Sequence, residues 1–212
     1  MDKPVIIFGY GPLTRAAIEI LVSNNIDIYG ILDDKEENKD KEINNIPVLS
    51  NTNDQGFLKF IGKKCEAFIA SDDNPFRKTL VKMLIEKRHV MPINAIHSKA
   101  YISDSAFFGH GNMINMGVTL GAGVEIKNHT ILNSSCTLDH GVIVHDFVQI
   151  GSGTVVGAET IIEENVFIGT GCVLVPGIKI GKNARIGAGS VVISNVENNA
   201  TVFGNPAVPV KK

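Results

Sequence analysis

The chain has 212 residues, 44% of them apolar and 20% charged, so it can bury a core and is not an intrinsically disordered segment. Its formal net charge of −2 and its low aromatic content of 6%, without Trp, argue against a protein that binds nucleic acid. No apolar stretch reaches the roughly 18 residues that a membrane span needs, and the N-terminus lacks the apolar run of a signal peptide. We therefore expect a cytoplasmic protein with no nucleic-acid and no membrane partner.

Residues 1–95 alternate between strand and helix patterns. Short apolar runs predict strands over 5–8, 28–32 and 67–70. An amphipathic pattern predicts a helix from Thr14, and Asp73-Asn74-Pro75 predicts the start of another, because Pro is favoured in the first helical turn. The alternation predicts a small parallel sheet with crossover helices, a Rossmann-like α/β domain. The charged segment 35–42 is predicted to be a solvated loop.

A glycine-rich turn lies between the first predicted strand and the first predicted helix. Gly9 and Gly11 precede Thr14, and Asp33 follows about 20 residues later, which is the placement of the dinucleotide-binding fingerprint. The third glycine of that fingerprint is missing, and the domain is long enough for a single mononucleotide half. Two interpretations stay open: a nucleotide site, or a tight turn that packs the helix on the strand while Asp33 and Asp34 close a second turn.

From residue 96 onward the sequence repeats every six residues. All sixteen positions taken in steps of six from Ile102 to Val192 are aliphatic or Phe, and the positions four residues after each are small or β-branched except Asn112. A period of six fits a coil of short strands and turns, in which large residues fill the interior corners and small residues line the walls. Three hexads close one coil of 18 residues, so sixteen hexads predict a parallel β-helix of a little over five coils.

The three cysteines are Cys65, Cys136 and Cys172, with no CxxC pair. A sparse, odd set argues against a disulfide framework and against a zinc site. Cys136 and Cys172 lie 36 residues, or two predicted coils, apart, which is about 9.6 Å at the spacing of β-strands and beyond disulfide reach. We expect all three to be small buried residues.

A family resemblance extends over the whole chain and rests on six short segments. They are Ile6-Ile7-Phe8-Gly9, Leu32-Asp33-Asp34, Asp73-Asn74 with Arg77-Lys78, Asn94-Ala95-Ile96-His97, Asn133 followed by Asp139-His140, and the terminal Gly204-Asn205-Pro206-Ala207. With these segments the chain resembles the bacterial nucleotide-sugar acyltransferases among the hexapeptide-repeat proteins. That family includes the bacillosamine-pathway and perosamine N-acetyltransferases, with sialic acid O-acetyltransferase as a relative.

The resemblance implies a two-domain organisation and a reaction. Residues 1–95 would bind the nucleotide-sugar, and residues 96–212 would form a left-handed parallel β-helix that binds acetyl-CoA and carries the catalytic residues. The reaction would transfer acetyl from acetyl-CoA, without a metal ion, to the amino group of a nucleotide-linked amino sugar. The expected acceptor is a UDP- or dTDP-linked 4-amino-4,6-dideoxy sugar, in the cytoplasmic synthesis of a surface glycan. The family forms homotrimers, with active sites between adjacent β-helices.

The resemblance also assigns catalytic residues. His140 would be the general base that takes the proton of the sugar amine, a role that a neutral imidazole suits at neutral pH. The family has an acidic residue directly after this histidine, where this chain has Gly141. We expect Asp139 or Glu159 to orient the ring instead. Glu159 qualifies because it lies 18 residues, or one coil, after Gly141. Asn133 is expected to contact the substrate.

Two further groups of residues are expected to hold the substrates. The nucleotide-sugar would contact turns of the N-terminal domain, at Gly11, Pro12, Leu13, Asp33, Asp34 and Asp72. Acetyl-CoA would lie along a groove of the β-helix, near Gln149, Ala158, Thr170 and Ala188. Leu13 and Gln149 stand where the family commonly has histidine, and Asp72 where it has glycine, so the identity of the sugar and of the nucleotide stays open.

Three alternatives to this function stay open. The same base could serve a hydroxyl acceptor, as in the sugar O-acetyltransferases, or the chain could be a non-catalytic trimeric scaffold that binds nucleotide. His140 and His145 form an HxxxxH pair, which in a β-helix of hexads is typical of the zinc-binding γ-class carbonic anhydrases. A third ligand would have to come from elsewhere, because His110 and His129 lie at other phases of the coil. His129 is predicted to be a solvated turn residue.

Overall fold

The computed structural model describes residues 3–210. They form two compact units that divide between Ser98 and Lys99, whereas the sequence pattern placed the boundary after residue 95. Each unit has its own buried core. Among the described residues, no helix is long and apolar enough to cross a membrane.

The N-terminal unit is an α/β domain built on one sheet. Its elements are β1 (Val5–Phe8), α1 (Pro12–Ser23), β2 (Ile28–Leu32), β3 (Glu42–Ile43), β4 (Ile46–Ser50), α2 (Gln55–Leu58), β5 (Glu66–Ile69), α3 (Asn74–Met83) and β6 (Ala95–Ile96), with a 3₁₀ turn over Glu36–Asn38 and a π-helical turn over Leu84–Arg88. Sheet A, the sheet of this unit, has the order β3-β4-β2-β1-β5, and every neighbouring pair except β3–β4 is parallel. The predicted Rossmann-like class is confirmed.

Burial and capping explain the elements that frame sheet A. Strand β1 is buried at all four positions, as expected of a central strand covered on both faces. Helix α3 begins where the N-cap Asp73 accepts a hydrogen bond from a first-turn amide at 3.1 Å, and Pro75 stands in that turn. Helix α1 begins at Pro12, two residues before the predicted start. Thr14 already lies inside its first turn, buried, with its hydroxyl donating to the Gly9 carbonyl at 2.8 Å.

The charged segment 35–42 is exposed at every position except Asn38, as predicted for a solvated loop, and it contains a short 3₁₀ turn. Asn38 is buried because its side-chain amide donates to the Asp33 carboxylate at 2.8 Å. After it, β3 and β4 form an antiparallel hairpin whose two turn residues, Asn44 and Asn45, both have positive φ. This turn matches the twist of a hairpin and favours Asn. The Asn-Asn pair between two isoleucines is therefore a hairpin signal that the hydrophobic pattern alone does not reveal.

The C-terminal unit is a parallel β-helix of short strands in three sheets. Sheet B contains β7 (Tyr101–Ile102), β10 (Thr119–Leu120), β13 (Thr137–Leu138), β16 (Val155–Val156), β19 (Val173–Leu174) and β22 (Val191–Val192). Sheet C contains β8 (Phe107–Phe108), β11 (Glu125–Ile126), β14 (Ile143–Val144), β17 (Ile161–Ile162) and β20 (Lys179–Ile180). Sheet D contains β9 (Met113–Ile114), β12 (Ile131–Leu132), β15 (Gln149–Ile150), β18 (Phe167–Ile168), β21 (Arg185–Ile186), β23 (Thr201–Gly204) and β24 (Ala207–Pro209).

The hexad pattern corresponds directly to the inside and outside of the coils. Residues such as Thr119 and Thr137, 18 apart, pair in register, so three hexads close one coil as predicted. The second residue of each two-residue strand is buried throughout 114–192, and so is the second predicted column throughout 112–196. Asn112, the polar exception, accepts a hydrogen bond from a neighbouring backbone amide at 2.7 Å and donates to a backbone carbonyl at 2.9 Å. Its polar groups are therefore satisfied inside the coil.

The 18-residue register ends before the chain does. Arg185 pairs with Thr201, 16 residues later, and the chain then turns back as the antiparallel pair β23–β24. The six-residue period carries no signal for this shortened last coil.

Three edges separate the sheets of the β-helix. The B–C edge holds the turns that lead from sheet B strands to sheet C strands. The C–D edge holds the turns from sheet C to sheet D, and the D–B edge holds the turns from sheet D to the next strand of sheet B. Backbone hydrogen bonds join successive turns on one edge, as between the Glu159 amide and the His140 carbonyl at 2.9 Å. Side chains on one edge therefore stack along the axis, whereas those on different edges are separated by a sheet.

The three cysteines are free and buried, as predicted. Burial raises the pKa of the Cys136 thiol to about 12 and also raises the pKa values of Cys65 and Cys172, because the interior disfavours a thiolate. Since the thiolate is the reactive form, we expect a thiol reagent at about pH 8 to label all three in denaturant at least roughly a thousandfold faster than in the native protein. A chromogenic disulfide reagent measures both rates. Fast labelling of any native thiol would contradict this burial.

Candidate functional site

A cleft of about 580 Å³ lies at the carboxyl ends of β1, β2 and β5 in the N-terminal unit. The six residues predicted to bind substrate in this unit all line it: Gly11, Pro12, Leu13, Asp33, Asp34 and Asp72. The chain runs from β1 to β2 on one side and later returns to β5 on the other, so the cleft lies where the strand order reverses. Open α/β sheets bind ligands at this switch point, because loops diverge there and leave a crevice.

The two acids after β2 are anchored by hydrogen bonds within the domain. Asp33 accepts from the Tyr10 amide at 3.0 Å through one oxygen, and from the Lys35 amide at 3.0 Å and the Asn38 side chain at 2.8 Å through the other. Asp34 accepts from the amide and the hydroxyl of Thr52, each at 2.8 Å. Asp33 therefore closes its own turn, as the second interpretation of the fingerprint expects, whereas Asp34 joins two loops that are distant in sequence. A carboxylate accepts about four hydrogen bonds, so Asp33 retains one direction for a ligand.

The floor of the cleft depends on Gly9. Its φ is +102°, and a Cβ at this position would lie 2.9 Å from the Ala70 carbonyl oxygen. The ends of β1 and β5 can approach this closely because residue 9 has no side chain. The lining also includes Tyr10, Ser71 and Phe76, which the sequence analysis did not assign to the site. No spacing rule marks them, because they reach the cleft from turns and from α3 after the sheet has formed.

The start of helix α1 faces the same cleft. Gly11 is its N-cap and provides no side-chain cap, and Pro12 has no amide hydrogen. The amides of Leu13 and Thr14 lie in the first turn, where helical amides have no partner within the helix. Such a turn can accept an anionic group, because its amides and the helix dipole point toward it.

The second candidate cluster lies on the B–C edge of the β-helix, around His140. The imidazole is 64% exposed, and its Nδ1 lies 2.9 Å from an Asp139 carboxylate oxygen. The same oxygen accepts the His140 amide at 2.7 Å. The His140 amide, and then the ring, lower the pKa of the Asp139 carboxyl. An ionised carboxylate can only accept, so Nδ1 carries the hydrogen and Nε2 presents its lone pair to solvent. Among the described residues, no group contacts Nε2.

Glu159, the other acid predicted to orient His140, lies one coil further along the same edge. Its backbone amide donates to the His140 carbonyl, but its side chain makes no hydrogen bond or ion pair with any residue of 3–210. A Cβ at Gly141 would lie 3.5 Å from Glu159 Cγ, so the Glu159 side chain leans over the turn that holds His140. Of the two acids, Asp139 is therefore the one that contacts the imidazole.

The residues predicted to hold acetyl-CoA do not gather around His140 within one chain. Thr170 and Ala188 are exposed in turns that precede sheet B strands, on the D–B edge, and Gln149 is on the outer surface of sheet D. Asn133, predicted to contact the substrate, is also on the D–B edge, where its side chain donates to the Ile150 carbonyl at 3.0 Å. Sheet B separates the three residues of the D–B edge from His140, and Gln149 lies on the sheet opposite the B–C edge.

Ala158 differs from the other predicted acetyl-CoA residues. It lies on the B–C edge with His140 and is buried, with 8% of its surface exposed. Its backbone carbonyl accepts the Gly177 amide of the next coil at 2.8 Å. Ala158 therefore forms part of the wall beneath the His140 cluster rather than of an open groove.

The other histidines of the β-helix lie apart from His140. His145 is across sheet C, on the C–D edge, with Nε2 4.0 Å from a Glu163 oxygen. The prediction that His129 is a solvated turn residue is wrong: it is 5% exposed, and its ring stacks on Phe147, one coil away, at 4.9 Å. Within residues 3–210, no three His, Cys, Asp or Glu side chains are placed to hold a metal ion. One chain therefore does not assemble the histidine set of the anhydrase alternative.

Comparison with known families gives one match in the N-terminal unit and another in the β-helix. The PglD N-terminal domain family matches residues 4–84, and the bacterial transferase hexapeptide family (six repeats) matches residues 159–194. A comparison with curated proteins gives no match.

Solved structures similar to the chain cover its full length. PerB from Caulobacter crescentus, in complex with CoA and GDP-perosamine, is 25% identical with a TM-score of 0.89, over 100% of this chain and 99% of that chain. A histidine-to-alanine mutant of GDP-perosamine N-acetyl transferase from the same organism is 24% identical with a TM-score of 0.91, with the same coverage. The acetyltransferase domain of PglB from Neisseria gonorrhoeae, in complex with acetyl coenzyme A, is 24% identical with a TM-score of 0.89, over 99% of this chain and 100% of that chain.

These matches confirm the predicted fold, a Rossmann-like domain followed by a left-handed parallel β-helix. The N-terminal match covers the strands and helices that build the cleft, and the hexapeptide match begins at Glu159, beside the His140 turn. The chain therefore carries a PglD N-terminal domain followed by a bacterial transferase hexapeptide segment, and over its full length it is similar to nucleotide-sugar acyltransferases of the hexapeptide-repeat type.

Proposed function

We propose that the protein is an acetyl-CoA-dependent N-acetyltransferase that acts on a nucleotide-linked amino sugar, in the cytoplasmic synthesis of a surface-glycan precursor. The observation that carries this proposal is the exposed His140 imidazole, whose Nδ1 is held by Asp139 while Nε2 is open to solvent. Similar proteins support it: PerB is in complex with CoA and GDP-perosamine, and the PglB domain with acetyl coenzyme A.

In the proposed reaction His140 is the general base. The sugar nitrogen attacks the thioester carbonyl of acetyl-CoA, which forms a C–N bond and a tetrahedral oxyanion. His140 Nε2 takes the proton that the nitrogen must lose. The C–S bond then breaks, and the imidazolium returns the proton to the CoA thiolate. The products are the acetamido sugar and CoA, and Asp139 keeps the hydrogen on Nδ1 throughout.

The N-terminal cleft is the proposed nucleotide site. The first-turn amides of α1 suit the phosphates, and the remaining acceptor direction of Asp33 suits a hydroxyl or an N–H of the nucleoside. The sequence favours a UDP- or dTDP-linked sugar, whereas the ligand of PerB is GDP-perosamine. All three nucleotides are therefore candidates for this chain.

Sheet B is the face on which we propose that three copies assemble. Its outward residues carry no charge: they are Tyr101, Thr119, Thr137, Val155, Val173 and Val191. The matching positions of sheets C and D include Glu125, Lys179 and Arg185. If sheet B faces a threefold axis, the B–C edge of each copy meets the D–B edge of the next. That arrangement would join the His140 edge of one copy to the edge of its neighbour that carries the predicted acetyl-CoA residues.

A mixed-oligomer experiment checks this arrangement. His140→Ala disables the B–C edge, and Ala188→Trp blocks the D–B edge, so each variant alone is expected to be inactive. When equal amounts are unfolded and refolded together, about one quarter of the interfaces would combine two intact edges, so about one quarter of the wild-type activity should return. Separately refolded variants, mixed afterwards, are the control. Activity that stays at the level of this control would contradict sites shared between copies.

The function itself is tested by release of the CoA thiol. The protein is mixed with acetyl-CoA and a panel of UDP-, dTDP- and GDP-linked 4-amino sugars, with and without a metal chelator. We expect release with the amino sugars of one nucleotide, unaffected by the chelator. Release with hydroxyl acceptors instead would support sugar O-acetylation. Binding of a nucleotide-sugar without release from any acceptor would support the non-catalytic scaffold.

A further inference from the structure

Glu159 has a backbone conformation that its neighbours on the B–C edge reserve for glycine. Its φ is +56°, and the equivalent positions are Gly141 and Gly177 in the adjacent coils and Gly123 one coil further away, all with positive φ. A left-handed conformation brings the Cβ of an L-residue close to its own backbone, so glycine is the unstrained choice. Glu159 is therefore the one residue with a side chain at this turn position between 123 and 177 on the B–C edge, whereas the other two edges hold side chains in the same conformation at His129, Ser135, Phe147, Asn165 and Asn183.

Glu159 lies beside the turn that holds His140, and its carboxylate makes no hydrogen bond or ion pair within residues 3–210. The His140 carbonyl accepts the Glu159 amide at 2.9 Å, and Glu159 Cγ lies 3.5 Å from the position of a Cβ on Gly141. The Glu159 side chain thus runs within van der Waals distance of the Gly141 Cβ position, one residue after His140. Asp139 already contacts the ring, and the exposed Glu159 carboxylate has no hydrogen bond or ion pair within residues 3–210.

We infer that Glu159 selects amine over hydroxyl acceptors by contacting the amino group of the sugar. This inference rests on the proposed function and settles which acceptor class the site takes. A sugar amine is cationic when it arrives and releases one proton to solvent before it attacks. Its nitrogen becomes positive again as it bonds to the thioester carbonyl, before His140 removes a second proton. A carboxylate beside the base stabilises both states. A hydroxyl acceptor carries no positive charge on arrival and gains nothing comparable from Glu159.

The test compares nucleotide-sugars that differ by one group. Calorimetry measures binding of a 4-amino sugar and its 4-hydroxyl counterpart, on the same nucleotide, to the wild type, to Glu159→Gln and to Glu159→Gly. GDP-perosamine is the first probe, and UDP- and dTDP-linked pairs follow. We expect the wild type to bind the amino sugar more tightly than the hydroxyl sugar. In both variants the ratio of these two affinities should fall about tenfold, which corresponds to the loss of one hydrogen bond between charged groups. Glu159→Gly relieves the backbone strain, so equal losses in the two variants assign the effect to the charge.

Kinetics with the same variants distinguish this role from orientation of His140. Loss of an orienting residue would lower kcat for every acceptor and leave the preference for the amine intact, which would overturn the inference. Unchanged discrimination in Glu159→Gln, or a wild type that binds both sugars equally, would overturn it as well. If the wild type prefers the amine but releases no CoA with any acceptor, the proposed function fails and the binding inference stands. If it transfers acetyl and the variants keep full discrimination, the inference alone fails.

Discussion

Replacement of His140 by Ala is expected to lower kcat for acetyl transfer by about 10²- to 10⁴-fold, the usual contribution of a positioned general base. The reason is geometric. The imidazole is 64% exposed and oriented through Nδ1 by Asp139, so its Nε2 is the basic nitrogen presented at this edge. Without it, the attacking amine must lose its proton to water. Steady-state CoA release at saturating acetyl-CoA and acceptor measures the effect.

His145→Ala is the matched control for this variant. His145 is also partly exposed, but it lies across sheet C on the C–D edge, beside Glu163. We expect its kcat to stay within about twofold of the wild type, because surface substitutions of this kind have small effects. Binding of CoA to His140→Ala should persist, since three of the four predicted CoA residues, Gln149, Thr170 and Ala188, lie away from the B–C edge. Equal losses in the two histidine variants, or a His140→Ala variant with wild-type turnover, would remove His140 from the mechanism.

Replacement of Gly151 by Ala is expected to destabilise the β-helix by about 3 kcal/mol, the upper range for overpacking a closely packed interior. A Cβ on Gly151 would lie 2.5 Å from the Gly169 carbonyl carbon and 2.7 Å from its oxygen, in the next coil. Both neighbours are backbone atoms, so no side chain can rotate away. The coils would have to separate locally, and the hydrogen bonds that join them would weaken. Urea denaturation, followed by circular dichroism, measures the change.

Gly153 provides the control in the same turn. It has a φ of +67°, and a Cβ there would meet no atom within 4 Å. Gly153→Ala should therefore cost about 1 kcal/mol, the conformational penalty of a left-handed alanine, without any steric clash. Comparison of the two variants separates the two physical reasons for glycine in this turn. If Gly151→Ala costs no more than Gly153→Ala, the coils do not approach each other as closely as described.

The fold of the β-helix was predictable because its period reports a local property. Each strand has one residue inside and one outside, so a spacing of six residues, repeated from Ile102 to Val192, records the path of the chain directly. The shortened coil from Arg185 to Thr201 was not predictable, because it depends on how the last coil closes rather than on periodicity. In the N-terminal unit, the β3–β4 hairpin was missed because its signal is two asparagines and not an apolar run.

The cleft was also predictable in part. Turns after β1, β2 and β5 must meet, because the carboxyl ends of parallel strands share one edge of the sheet. The partners of the acids in those turns were not predictable. Asp33 and Asp34 are held by Tyr10, Asn38 and Thr52, and residues as distant as 23 positions in sequence come within 3.0 Å when the sheet forms.

The sequence by itself determined the two domains, the 18-residue coil, the burial of the cysteines and the turns that line the cleft, because each follows from short-range spacing. The tertiary structure alone decided which acid contacts His140, since Asp139 and Glu159 are both compatible with the coil arithmetic. It also decided that His129 is buried against Phe147. Finally, it separated His140 from Thr170 and Ala188 by sheet B, because residues on different edges of a triangular coil cannot meet within one chain.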